Sequence, residues 1–290
     1  MSHIPVLLDE AIDALNLQPS ARIIDATFGG GGHTQAILDR SDCFVCGIDR
    51  DLDAQKRAKI FEEKYENKFA FAFGKFSQIH ELLNQSEKFD GILFDFGVSS
   101  FQIDDPERGF SFSKDGLLDM RMSRHDKISA YDVVNSFSEE DLAKIIWAYG
   151  DERNSRRIAF QIISMREKGD IQTTSQLRSA VLAAYYGMKK PGKIDVATKT
   201  FQALRIYVNN ELAEIDAALK NSFSVLNDGA RIVTISFHSL EDRVVKNWSK
   251  DFSRSVSQAN KNVVKPSQDE LSRNPRSRSA VLRSFVYKKT

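Results

Sequence analysis

Four consecutive glycines, set between two apolar runs that each end in a carboxylate, are the part of this 290-residue chain best suited to chemistry. The stretch is Asp25-Ala26-Thr27-Phe28-Gly29-Gly30-Gly31-Gly32-His33. Glycines at such a turn let the backbone approach a ligand closely and adopt positive φ. A helix start after them offers free N–H groups to an electron-rich or anionic group. Asp49 ends the next apolar run, seventeen residues after Gly32, where a carboxylate can accept hydrogen bonds from both hydroxyls of a ribose. Asp95 ends a further run, Gly91-Ile92-Leu93-Phe94-Asp95-Phe96. Ligands of open α/β sheets bind beyond the carboxyl ends of the strands. Asp25, Asp49 and Asp95 therefore converge on one rim, which fits a cationic, ribose-bearing ligand.

A dinucleotide fingerprint requires G-x-G-x-x-G/A. Counted from Gly29 its third position is Thr34, and counted from Gly30 it is Gln35, so a nicotinamide oxidoreductase is disfavoured. The pattern D-x-x-x-G-x-G, Asp25 to Gly31, suits S-adenosylmethionine instead. That cofactor carries no phosphate but has a sulfonium and an ammonium, which strand-end carboxylates attract. A serine hydrolase is also disfavoured, because Gly97-Val98-Ser99-Ser100 lacks the second glycine of a nucleophile elbow. A non-enzymatic RNA-binding protein is the remaining rival, and intact Asp25, Asp49 and Asp95 count against it.

The elements that must hold these residues follow from periodicity. Arg22–Ala26, Cys43–Asp49, Phe69–Phe73 and Gly91–Phe96 read as strands, separated by helices at about 33–40, 53–63 and 77–85. This alternation predicts an α/β fold with a parallel sheet covered on both faces. Beyond Gly97 the rhythm breaks, and from about 104 to 199 helical patterns dominate at 139–149, 153–167 and 174–186, with a loop at 185–192. So long a stretch is expected to be a helical insertion that divides the core into 1–103 and 200–290. Phe201, Leu204, Val208, Leu212, Ile215 and Leu219 recur at helical spacing and predict one apolar face. Arg231–Phe237 reads as a strand, 251–278 as a long polar loop, and Ser279–Tyr287 as a closing strand.

Composition narrows the setting. No run of eighteen apolar residues and no basic, apolar leader at Met1–Pro5 is present, so a cytoplasmic protein with no membrane contact is expected. Cys43 and Cys46 form a C-x-x-C, but on a strand they point to opposite faces, which predicts buried thiols and no metal site. Net charge is +1, yet residues 251–290 hold nine Lys or Arg against three Asp or Glu. A basic end of this kind suits a phosphate-rich partner.

Several ordered motifs carry a resemblance: His3–Glu10, Asp25–His33, Asp90–Ser100, Glu107–Phe112, Leu118–Met122, Thr200–Ile206, Ser236–Arg243 and Asn274–Ser279. Together they span almost the whole chain, which closely resembles the bacterial ribosomal RNA small subunit methyltransferase H family, also called MraW. The resemblance implies a Rossmann-like S-adenosylmethionine-dependent methyltransferase sheet with an inserted all-helical, substrate-recognition domain. It implies methylation of the exocyclic N(4) amine of a specific cytidine in the decoding (P-site) region of 16S rRNA, within the small ribosomal subunit. A homodimer is compatible with it. It maps cofactor binding onto Gly31, Gly32, His33, Asp49, Phe76, Asp95 and Gln102. The family usually has a larger residue where Gly30 stands and often a proline where Phe101 stands.

The amine of cytosine is a poor nucleophile, and an acceptor for its hydrogens would favour the reactive, pyramidal form. Asp95, or a carbonyl within Gly97–Ser100, is the expected acceptor; the alternative is that Asp95 serves the cofactor only. His238 follows a predicted strand and is a second catalytic candidate. Its alternative is to orient a turn beside a capping box of Ser239 and Asp242. Phe110, Phe112, Arg108, Arg121 and Arg124 are candidates to hold the extruded base and its phosphates, and Arg276 and Arg278 are candidates for phosphate contacts.

Overall fold

A computed structural model describes residues 5–188 and 195–289. His3, Ile4 and the expected loop residues 189–192 lie outside that range. The chain runs α1 (Leu8–Leu15), β1 (Arg22–Asp25), α2 (Gly32–Arg40), β2 (Phe44–Asp49), α3 (Leu52–Lys64), β3 (Phe69–Phe73), α4 (Ile79–Leu82) and β4 (Phe89–Asp95). Helices α5 (Ser100–Asp104), α6 (Ala130–Ser136), α7 (Glu139–Gly150), α8 (Ser155–Arg166), α9 (Thr174–Ala184) and α10 (Ala197–Asn209) follow. The last stretch is α11 (Glu211–Asn221), β5 (Leu226–Ser236), α12 (Ser239–Asp251), β6 (Val256–Gln258), α13 (Gln268–Arg273) and β7 (Val281–Tyr287). Two compact units result: residues up to Gly97 with those from Leu212, and residues Val98–Glu211.

The first unit is a seven-stranded sheet of order β3-β2-β1-β4-β5-β7-β6. Strands β1 to β5 are parallel, as the alternation of strands and helices predicts, whereas β7 runs antiparallel to both β5 and β6. Successive residues of each central strand feed opposite faces. Ile23, Val45, Leu93 and Val233 enter one core with Ala11, Ile37 and Ala58. Their neighbours Ile24, Cys46, Ile92 and Ile232 enter the other with Ile79, Ile215 and Trp248. The two thiols obey the same rule: Cys43 belongs to the first core and Cys46 to the second. Burial pushes the Cys46 thiol up to about 12, so it stays neutral.

The stretch 251–278 is not wholly a loop. β6 pairs with β7 at the sheet edge, and α13 is capped by Ser267, whose side chain accepts from Glu270 N–H. A three-residue strand is too short to show a period, so only its tertiary pairing reveals it.

The second unit is helical, with a core built from Val133, Leu142, Ile146, Ile158, Ile162, Leu177 and Val181. α10 packs on α7 and contributes Phe201 and Leu204 to this core. The apolar face read across 201–219 therefore serves two cores, because Ile215 and Leu219 belong to the sheet unit. The break lies at Asn210, which turns left-handed at φ 50° and ends α10. Among the described residues no helix is long and apolar enough to cross a membrane.

Asn209 locks the helical unit from inside. Its Nδ2 donates to Met120 O (2.7 Å) and Arg205 O (2.8 Å), and its Oδ1 accepts from Met122 N (2.7 Å). Met120 is left-handed at φ 61° and fully buried, so its carbonyl is held by a side chain away from water. Asn209→Leu is expected to lower the unfolding free energy by about 3 kcal/mol, since buried backbone groups lose their partners. Denaturant titration of the two proteins measures it.

Candidate active site

The carboxyl ends of β1, β2 and β4 carry Asp25, Asp49 and Asp95. Neighbouring parallel strands in register bring them to one edge of the sheet. The surrounding contacts divide their labour. Asp25 is 1% exposed, accepts from Thr34 Oγ1 at 2.7 Å and from Thr27 N at 3.2 Å, and ties the start of α2 to β1. Burial pushes its carboxyl up to about 6 despite those hydrogen bonds. Asp49 accepts from Gly29 N at 2.7 Å and from Asp51 N at 2.9 Å, so it pins the glycine loop to β2. Its carboxyl is also raised, again chiefly by burial.

Asp95 is different. Its backbone N–H is held by Thr27 Oγ1 (2.7 Å), which fixes the residue, but the carboxylate oxygen Oδ1 is shielded and has no hydrogen-bond partner among the described residues. The side chain as a whole is 24% exposed. Its carboxyl lies well above the ordinary range because of burial first, then the charges of Asp25 and Glu241. The His33 ring stands beside it, with Nδ1 at 3.8 Å from Asp95 Oδ2. His33 Nε2 lies 3.2 Å from Val6 O. A carbonyl only accepts, so Nε2 carries the hydrogen and Nδ1 faces Asp95 as an acceptor unless a proton joins the two.

The glycine loop owes its glycines to packing as much as to any ligand. Gly31 has φ 77°, and a Cβ there would stand 2.4 Å from the Phe61 ring. A Cβ on Gly32 would stand 2.4 Å from Pro5 Cγ. Phe28 roofs this corner, packed on Phe61, Phe69 and Phe71 at centroid distances of 5.2, 5.4 and 5.5 Å. Arg57 Nε donates to Gly29 O at 2.9 Å.

Phe76 follows β3 and packs edge-on against Phe94, 6.1 Å away, leaving a partly buried aromatic face. Gln102 lies in the helical unit, where its Oε1 accepts from Ser99 N (3.0 Å) and closes the capping box of α5.

His238 lies beyond β5 as the N-cap of α12. The capping box there is His238 with Glu241, one position earlier than Ser239 with Asp242. Nδ1 accepts from Glu241 N (3.3 Å), and Nε2 lies 3.0 Å from Glu241 Oε1. Both ring nitrogens are thus engaged by one residue. Glu241 is fully buried and accepts from Phe237 N at 2.6 Å. Glu241 stands three residues after His238, which is capping-box spacing. Asp242 instead pairs with Arg283 on β7 (2.7 Å).

Of the residues expected to hold an extruded base, Arg108, Arg121, Phe110 and Phe112 make contacts within the helical unit. Arg108 is 3% exposed and donates to Met122 O at 2.8 Å. Arg121 forms a two-pronged pair with Asp119 (2.7 and 2.9 Å). Phe112 packs against Phe201 at 4.8 Å, and Phe110 also lies against the helical core. Arg124, Arg276 and Arg278 are exposed.

The raised Asp25 carboxyl fixes a pH dependence of stability. Its folded value of about 6 exceeds the 3.8 of the unfolded chain, so its contribution is complete below about pH 4 and is lost as pH rises through 6. Between pH 4 and 8 the wild-type protein should lose about 3 kcal/mol relative to Asp25→Asn, measured by denaturant unfolding at each pH.

The chain is similar in sequence to named proteins. Three relatives bear the name ribosomal RNA small subunit methyltransferase H. The one from Ehrlichia canis (strain Jake) is 46% identical, covering 98% of this chain and 99% of its own. The one from Wolbachia sp. subsp. Drosophila simulans (strain wRi) is 44% identical with the same coverage, and the one from Rickettsia bellii (strain RML369-C) is 43% identical, covering 97% of each. The pattern of the MraW methylase family matches residues 1–288. With the match running through both segments of the sheet and the helical unit between them, this chain belongs to the MraW methylase family.

Proposed function

We propose that this protein transfers the methyl group of S-adenosylmethionine to the exocyclic N(4) amine of one cytidine in the decoding region of 16S rRNA, within the small ribosomal subunit. The relatives' name supports the RNA, and the sequence resemblance supports the position on the base. Asp95 carries the reading: a carboxylate fixed at the centre of the rim, with one oxygen unpartnered and other acids nearby.

The residues present fit the cofactor. Carboxylates gathered on one rim repel one another, and a bound cation relieves that repulsion. Asp49 stands where a ribose would be held, Gly31, Gly32 and His33 form the loop and helix start beside it, and the face of Phe76 suits an adenine. Asp95 attracts the cationic end. Gln102 enters this set through the family resemblance. When bound, S-adenosylmethionine supplies an electrophilic methyl on its sulfonium.

The chain's own part is to place and polarise the attacking amine. Asp95 Oδ1 accepts a hydrogen from that amine, which localises the nitrogen lone pair. His238 takes a positioning role in this reading: it holds Glu241 and the turn from β5 to α12, next to the strand that carries Asp95. The helical unit recognises the RNA, and the basic segment around Arg276 and Arg278 contacts phosphates.

Mass spectrometry of 16S rRNA from cells lacking the protein is expected to show one cytidine without its N(4)-methyl group; an unchanged modification profile refutes the assignment. Asp95→Ala should lower kcat by about 100-fold or more, the usual weight of a general base. Near-normal turnover would reject Asp95 as the acceptor. Arg276→Ala with Arg278→Ala should reduce the slope of log affinity against log salt by about two, as expected for two lost phosphate contacts. Filter binding at several salt concentrations reads it.

A further inference from the structure

The contacts just outside the cofactor rim lead away from it in one direction. The Pro5-Val6-Leu7 segment lies directly on the glycine loop: Pro5 Cγ fills the space where Gly32 would carry a Cβ, and Val6 O faces His33 Nε2 at 3.2 Å. His33 in turn faces Asp95. Leu7 is the next residue, fully buried and left-handed at φ 51°, ψ 40°. Left-handed backbone is unfavourable for a leucine and persists only where its surroundings hold it. One of those holds is specific and comes from far along the chain. Leu7 N donates to Glu270 Oε1 at 2.9 Å, a bond between residues 263 positions apart. Glu270 lies on α13, where Ser267 Oγ accepts from its N–H at 3.1 Å.

We propose that Glu270 is a positioning residue for the cofactor site. Its carboxylate fixes Leu7, which sets the Val6 carbonyl, which orients His33 against Asp95 and seats Pro5 on the glycine loop. The proposal rests on the S-adenosylmethionine reading above and adds a residue that never touches the cofactor. It also gives α13 a role beyond its neighbourhood to Arg276 and Arg278: the same short stretch of chain carries the proposed phosphate contacts and the clasp on the loop.

The chemistry sets what each substitution does. Glu270→Ala removes the acceptor and leaves Leu7 N–H unpaired. Glu270→Gln keeps a carbonyl oxygen of the same reach and should restore the clasp. Glu270→Asp keeps the charge but is one methylene too short.

The test is calorimetric titration of the full-length protein with S-adenosylmethionine and S-adenosylhomocysteine, beside steady-state kinetics on small ribosomal subunits. Glu270→Ala and Glu270→Asp are expected to weaken cofactor affinity about ten-fold, the weight of one charge-assisted hydrogen bond, and to raise KM for the methyl donor. At saturating donor, kcat should stay within about two-fold of wild type, and Glu270→Gln should bind within about three-fold of it. A merely structural role would lower the melting temperature of the ligand-free variants without this split between KM and kcat and without rescue by glutamine. Wild-type affinity in Glu270→Ala overturns the proposal; should that variant not fold, wild-type affinity in Glu270→Asp overturns it equally. Wild-type protein with no affinity for either ligand is a separate outcome, which brings down the cofactor reading and this proposal with it.

Discussion

Acid groups held at one sheet edge with too little positive charge around them set the terms for the rest of this structure. Asp25 is buried, Asp95 beside it is shielded at one oxygen, and Glu241 adds its charge from the first turn of α12. Such a cluster raises its own proton affinity and strains the fold that contains it. The chain tolerates it by spending most of the surrounding hydrogen bonds on Asp25 and Asp49, through Thr27, Thr34, Gly29 and Asp51. Asp95 is left over. Its oxygen Oδ1 has no hydrogen-bond partner among the described residues.

The scaffold is rigid where this matters. Parallel pairing of β1 with β2 and β4 fixes the three strand ends in register, and alternating side chains anchor each strand in two cores at once. Phe28 and its aromatic neighbours close the corner behind the glycine loop. Gly31 and Gly32 are thus constrained by the close approach of Phe61 and Pro5. A glycine-rich turn reads from sequence as a device for close approach to a ligand. Here the same residues also permit close approach of the protein to itself.

His238 shows how a catalytic-looking residue changes meaning once its partners are visible. Its place after a strand, on the carboxyl rim, is that of many acid–base groups. In the folded chain both ring nitrogens meet Glu241, and the ring caps α12. Arg108 and Arg121 likewise hold backbone carbonyls and Asp119. Polar groups inside a folded chain satisfy one another first, and the sequence does not say which have been used.

Local pattern by itself determined the α/β sheet, the rim of Asp25, Asp49 and Asp95, the helical interruption after Gly97, and the separation of Cys43 from Cys46. These follow from alternation and from strand ends, which depend on residues a few positions apart. Only the tertiary structure decided that the helical face across 201–219 is split at Asn210 between two cores, that β6 extends the sheet, and that Leu7 is held by Glu270. Each of these depends on which distant segment supplies the partner for a backbone group or an apolar face. Periodicity records that a partner is needed and is silent about where in the chain it comes from.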